Sequence, residues 1–174
     1  MMAARVGQAE AVDFLLEKGA RINQRAADGL DALMVAVMRG HADLAMHLLT
    51  RGADAKNDQA GYTALHWASG VFETIHTHDY VFNPTAISKV QEWTALAGFT
   101  DQKVKHDLIL ALLAKGANPN AKVVNWTPTR RSSKDYNFEP ALVGATPFWM
   151  AARFLEPGMM RLLAKHGADP LFVH

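Results

Sequence analysis

Residues Asp28-Gly29-Leu30-Asp31-Ala32-Leu33-Met34-Val35-Ala36, then Arg39-Gly40-His41, then Leu48-Leu49 and Gly52-Ala53-Asp54 form a unit that the chain repeats. Gly-Ala pairs recur at Gly19-Ala20, Gly52-Ala53, Gly116-Ala117 and Gly167-Ala168, each after an apolar run that reads as a helix. Those runs close on Phe14-Leu15-Leu16, His47-Leu48-Leu49, Ala111-Leu112-Leu113 and Arg161-Leu162-Leu163-Ala164. The first two glycines stand 33 residues apart. A period of that length signals stacked helical hairpins, each touching its neighbours, rather than one closed core.

The opening of the unit recurs as Gly61-Tyr62-Thr63-Ala64-Leu65-His66-Trp67-Ala68 and as Gly144-Ala145-Thr146-Pro147-Phe148-Trp149-Met150-Ala151-Ala152. Thr63 and Thr146 stand where a helix N-cap belongs, and Pro147 follows at the first helical position, where a missing N–H costs nothing. Ala36, Ala68, Ala151 and Ala152 let two helices approach closely. Gly19, Gly52, Gly116 and Gly167 suit the left-handed residue that stops a helix. The paired leucines, with Val12, Ala45, Ile109 and Met160 three or four positions earlier, form a buried stripe.

This order of residues resembles the ankyrin repeat, with its Asp-Gly-x-Thr-Pro-Leu-His-x-Ala-Ala, Gly-His, Leu-Leu and Gly-Ala-Asp signature. The resemblance covers nearly the whole chain outside two insertions. It implies an all-α repeat, an ankyrin-type solenoid of helix pairs with β-hairpin fingers and no continuous sheet. About four units are expected, over residues 1–26, 27–57, 58–121 and 122–174. The first begins inside its first helix, the last stops before another finger, and neither end carries a polar capping helix. A segment of a longer array, or a gene fragment, is expected; a short protein whose ends pair with another chain is the alternative.

The insertions break the period. Ala36 to Gly52 and Ala151 to Gly167 both span 16 residues, whereas Ala68 to Gly116 spans 48. The extra residues, which include 71–98, fall between the two helices of the third unit. Ile87, Val90, Trp93 and Ala97 recur at helical spacing after Asn83-Pro84, so a helix ending at Gly98 and packed on the array is expected. Thr100-Asp101 then opens a lengthened second helix running to Lys115. The second insertion, 127–142, lengthens the last finger and carries Arg130, Arg131, Tyr136 and Phe138. It has little apolar periodicity and is expected to order on binding a partner.

Composition narrows the function. The 174 residues carry a net charge of +1, so no basic field draws nucleic acid. The patch around Arg130 and Arg131 is short and interrupted by Asp135 and Glu139. Without cysteine there is no disulfide, thiolate metal site or cysteine nucleophile. The N-terminal residues hold no signal-peptide core, and no run approaches the roughly 18 apolar residues of a membrane span. The compartment is left open. No Gly-rich phosphate loop or nucleophile elbow occurs. His76, His78 and Asp79 form the one cluster with metal-ligand character, which gives the low-ranked reading of a metal-dependent hydrolase.

The leading reading is a non-catalytic protein-binding module, not an enzyme, with no cofactor and no metal. A regulatory or spacer arm of a longer multidomain protein is the runner-up. Another protein is the expected partner, not nucleic acid and not membrane. In the ankyrin family, finger tips and the exposed side of the first helices bind. Carried onto this chain, that gives Ala27, Asp28, Leu30, Met38, Arg39, Gln59, Ala60, Tyr62, Val143, Ala145, Arg153 and Phe154 as contacts. Arg130, Arg131, Tyr136 and Phe138 of the long finger join them. Tyr62, Arg153 and Phe154 are the expected anchors, because aromatic and arginine side chains dominate hot spots. Structural roles fall to Thr63, His66, Thr146, Pro147, Gly52, Gly116 and Gly167, and to His41 at a turn between helices.

Overall fold

A computed structural model describes residues 1–72, 97–99, 101–125 and 142–171. The helices are α1 (Met2–Arg5), α2 (Ala9–Glu17), α3 (Ala32–Met38), α4 (Ala42–Thr50), α5 (Ala64–Ser69), α6 (Gln102–Ala114), α7 (Pro147–Arg153) and α8 (Pro157–Lys165). Consecutive helices pair as α1 with α2, α3 with α4, α5 with α6 and α7 with α8. The first helices stack in a row, α1 on α3 on α5 on α7, and α4 packs on α6 behind them. The architecture is an all-α repeat.

The caps follow the sequence. Thr146 accepts a hydrogen bond from the Trp149 amide at 3.2 Å. Asp31, in the place of a threonine, accepts one from the Met34 amide at 2.8 Å. Asp101 accepts from the amides of Lys103 and Val104 and so starts α6. Each satisfies N–H groups that the first helical turn leaves free. Gly19, Gly52, Gly116 and Gly167 all have positive φ, between 87° and 96°, the conformation that ends a helix without a Cβ clash.

Alanine sets the closeness of the stack. Ala4, Ala36, Ala68 and Ala151, one on each first helix, are fully buried. Leu48, Leu65, Leu108, Ile109, Leu112 and Leu163 fill the space around them. Each buried leucine stabilises the fold by about 1.5–3 kcal/mol over exposure to water.

Two details depart from the sequence reading. Ala97 and Gly98 do not end a helix. They form strand β2 (Ala97–Gly98), antiparallel to β1 (Val71–Phe72), with Val71 opposite Gly98 and Phe72 opposite Ala97. The insertion is thereby closed at its neck, where backbone groups at both ends satisfy one another. Among the described residues the fingers are tight turns rather than strand ladders: Ala26 N–H donates to Leu30 O across one at 2.8 Å. Ile87, Val90 and Trp93 lie outside the described residues, as do His76, His78 and Asp79 and the finger residues Arg130, Arg131, Tyr136 and Phe138.

Candidate functional site

The finger side is built by backbone resting on backbone. A Cβ placed on Gly29 would lie 2.5 Å from the amide nitrogen of Ala60, so only glycine lets the second and third fingers touch there. Gly61 meets Asn125 in the same way, with the Asn125 amide nitrogen 2.9 Å from such a Cβ. Val124 N–H donates to Gly61 O at 2.7 Å. Short side-chain bonds fix the tips: Asp28 accepts from the Leu30 amide at 3.1 Å and Asn57 from the Gln59 amide at 3.2 Å. Asp28, Gln59 and Ala27 are exposed on this framework, and Leu30 and Ala60 are half-buried.

The expected contact residues separate by burial. Arg153 is exposed, and Arg39 and Phe154 are half-buried. Val143 is exposed, whereas Ala145 is fully buried. Met38 is buried, and Tyr62 is only 2% exposed. The Tyr62 ring packs edge-on against Trp67, with centroids 6.0 Å apart and planes at 76°. Burial raises the Tyr62 phenol well above its usual pKa. These positions correct the expectation of Tyr62, Met38 and Ala145 as surface contacts: their side chains belong to the core.

His66 is the polar centre of the stack. Its Nδ1 accepts from the Thr63 backbone N–H at 3.0 Å, completing a reciprocal cap at the start of α5. Its Nε2 lies 3.0 Å from Ala121 O and 3.2 Å from Ala145 O, both in the segment leading into the next helix pair. An Nε2-protonated neutral ring satisfies this set, and full burial depresses its pKa to about 4. A histidine so placed joins neighbouring units.

Other inter-unit links were not expected from sequence. Asn57 Nδ2 donates to Asp31 Oδ2 at 2.7 Å and to Gly29 O at 3.0 Å, all of it buried. Burial raises the Asp31 pKa, while its bonds from Met34 and Asn57 oppose the rise. Asn23 accepts from the Asp54 amide and donates to Gly52 O, and Asn120 does the same with Asp169 and Gly167. Both asparagines stand four residues after a helix-ending glycine, a spacing that could have revealed them. Lys56 holds that position in the middle junction and lies across Gly116, where a Cβ would come within 2.6 Å of its Cε. His41 Nε2 pairs with Arg5 O at 3.1 Å, with its ring against Gly7.

The last junction carries a buried ion pair. Lys105 Nζ, fully buried on α6, lies 2.7 Å from Glu156 Oε1. Gln102 Nε2 donates to the other Glu156 oxygen at 2.9 Å. Burial pulls the Lys105 pKa down and the carboxylate pushes it back. Just before Glu156, Leu155 has φ 55°, the one non-glycine residue with positive φ among the described residues, and it is 86% exposed. Gly7 and Gly40 take the matching turn in the first two units.

Among the described residues no three His, Asp or Glu side chains converge as metal ligands, and no helix is long and apolar enough to cross a membrane. Comparison with curated proteins finds no match. The family model described as ankyrin repeats (3 copies) matches residues 1–81. Ankyrin repeats are generally protein-binding modules, and the family is typically non-enzymatic. Residues 1–81 are ankyrin repeats, and the chain carries the all-α ankyrin-type fold.

Proposed function

We propose that the chain is a non-catalytic module that binds another protein through its finger tips and the exposed ends of its first helices. The observation that carries this reading is the finger row: rigid, glycine-packed backbone with Asp28 and Gln59 exposed at the tips. Rigidity matters because a preorganised surface does not lose conformational entropy on binding. Arg153 and the half-buried Leu30, Arg39 and Phe154 extend the surface onto the helix ends. An acidic tip at Asp28 and basic groups at Arg39 and Arg153 suit a partner with charges of both signs around an apolar centre.

The long finger, 127–142, is the proposed selectivity element. Arg130, Arg131, Tyr136 and Phe138 have the side-chain types that dominate binding hot spots. A photo-crosslinking residue placed at position 28, 59 or 131 should capture one and the same partner from the source cells. The same residue at Arg161, on the opposite helix layer, should not. Equal capture from Arg161 would overturn the assignment of the finger side.

A further inference from the structure

The second helices of the four pairs, α2, α4, α6 and α8, form the outer layer, and each ends two residues before a helix-ending glycine, at Glu17, Thr50, Ala114 and Lys165. Equal steps back from those glycines are therefore equal heights on the layer. On α4, in the middle of the array, Asp43, Met46 and Thr50 are exposed and follow helical spacing, so they mark the stripe that faces water away from both neighbours. The same stripe is Glu10, Asp13 and Glu17 on α2, Asp107, Leu110 and Ala114 on α6, and Gly158, Arg161 and Lys165 on α8. It runs from acidic on α2, through Met46 (38% exposed) and the half-buried Leu110, to basic on α8. Glu10, Glu17, Arg161 and Lys165 are all exposed, and among the described residues none of them forms an ion pair. Within one chain the two charged ends are about 25–30 Å apart, three helix spacings of about 8–10 Å. That exceeds the roughly 8 Å over which exposed charges act at physiological salt, so a single copy leaves both ends uncompensated.

We infer that this outer layer pairs with the same layer of a second copy of the chain, about a two-fold axis parallel to the helices and between α4 and α6. That rotation lays α2 of one copy on α8 of the other and keeps every residue at its height. Glu17 then meets Lys165 and Asp13 meets Arg161, and the axis forms each pair twice. Met46 meets Leu110 and Thr50 meets Ala114 between them, an apolar middle within a charged rim. Asp43 comes opposite Asp107, whose charge Lys103 Nζ already holds at 2.7 Å. Asp13 is fixed in place by His47 at 2.9 Å and Arg51 at 3.5 Å. An axis along the array instead would set Arg161 on Arg161 and Asp13 on Asp13, and is disfavoured. A self-complementary face closes as a dimer and does not run on into filaments. Four helices about 9 Å apart and about 14 Å long give a contact of roughly 500 Å² on each copy, small for a specific interface, so association in the micromolar range is expected. A crosslinker at Arg161 should accordingly trap a second copy of the chain and not the partner of the finger side.

Sedimentation of the full chain across micromolar concentrations tests this. The wild type should form dimers and nothing larger. Glu17→Lys and Lys165→Glu should each weaken the dimer by at least about tenfold. Mixed in equal amounts, those two variants should recover dimers, because each altered end then meets its opposite. Met46→Glu, at an exposed site, should be monomeric with an unchanged circular dichroism spectrum. A monomer at every concentration, polymers larger than a dimer, a dimer indifferent to the single charge changes or to Met46→Glu, or a mixture of the two charge variants that fails to associate would each overturn the inference.

Discussion

His66 Nε2 lies 3.0 Å from the carbonyl oxygen of Ala121, 55 positions along the chain. A second carbonyl, Ala145 O, is 3.2 Å away. One neutral imidazole thus ties the start of α5 to backbone on both sides of the long finger that leads into α7.

His66→Ala should destabilise the fold by about 1–3 kcal/mol, the cost of leaving buried polar partners unpaired. Urea unfolding measures it. An unchanged midpoint would mean that water replaces the ring without cost, and the junction role would fall.

The same residue gives the stability a pH slope. The folded His66 has a pKa of about 4 against 6.5 for a free side chain. Between those values the unfolded chain binds a proton that the folded chain refuses. The contribution is therefore full above pH 6.5 and is lost as pH falls toward 4. Its span is about 3 kcal/mol, because every tenfold change in proton affinity is worth about 1.4 kcal/mol. In His66→Asn, whose side chain does not titrate, unfolding free energy should be flatter over that window. An identical slope would assign the acid sensitivity elsewhere.

Lys105 and Glu156 should behave as a unit. Lys105→Met leaves the Glu156 carboxylate buried against Gln102 alone and should cost about 3–5 kcal/mol. Replacing both, as Lys105→Met with Glu156→Leu, should recover most of that loss, because the desolvation cost leaves with the charges. A double variant as unstable as the single one would show that the pair is more than a paired burial.

Leu155→Gly should stabilise the protein. A left-handed conformation costs an L-residue about 1–2 kcal/mol, and glycine is nearly free of that cost. Leu155 is 86% exposed, so little packing is lost. Thermal unfolding should shift upward, for a gain of about 1 kcal/mol once glycine's added chain entropy is deducted. A drop in stability would show that the leucine side chain holds the turn.

These tests also mark how far the sequence could be read. The glycines after each leucine pair were legible because positive φ selects one residue type. Thr146 and Asp101 were legible because a helix start needs an acceptor side chain. The Lys105–Glu156 pair spans 51 positions and follows no period, so nothing local announces it. Tyr62 misled because it sits beside a finger tip, yet its ring turns inward onto Trp67. Gly98 misled for a related reason: a glycine after a helical spacing reads as a stop, but its partner Val71 lies far back in the chain. The exposure of Asp28 and Gln59 at the finger tips was legible by register alone. Which side chains near them are exposed depended on packing that one sequence does not display.

Binding of a protein partner by the finger row and the first-helix ends is the proposed function. Isothermal titration of the crosslinked partner against the wild type and an Asp28→Asn, Gln59→Arg, Arg153→Glu triple variant, in which the asparagine can still accept from the Leu30 amide, tests it most directly. All three side chains are exposed, so unfolding midpoints should coincide. Affinity should fall at least about tenfold, or roughly 1.4 kcal/mol. Equal affinity in a variant that is equally stable would contradict the account.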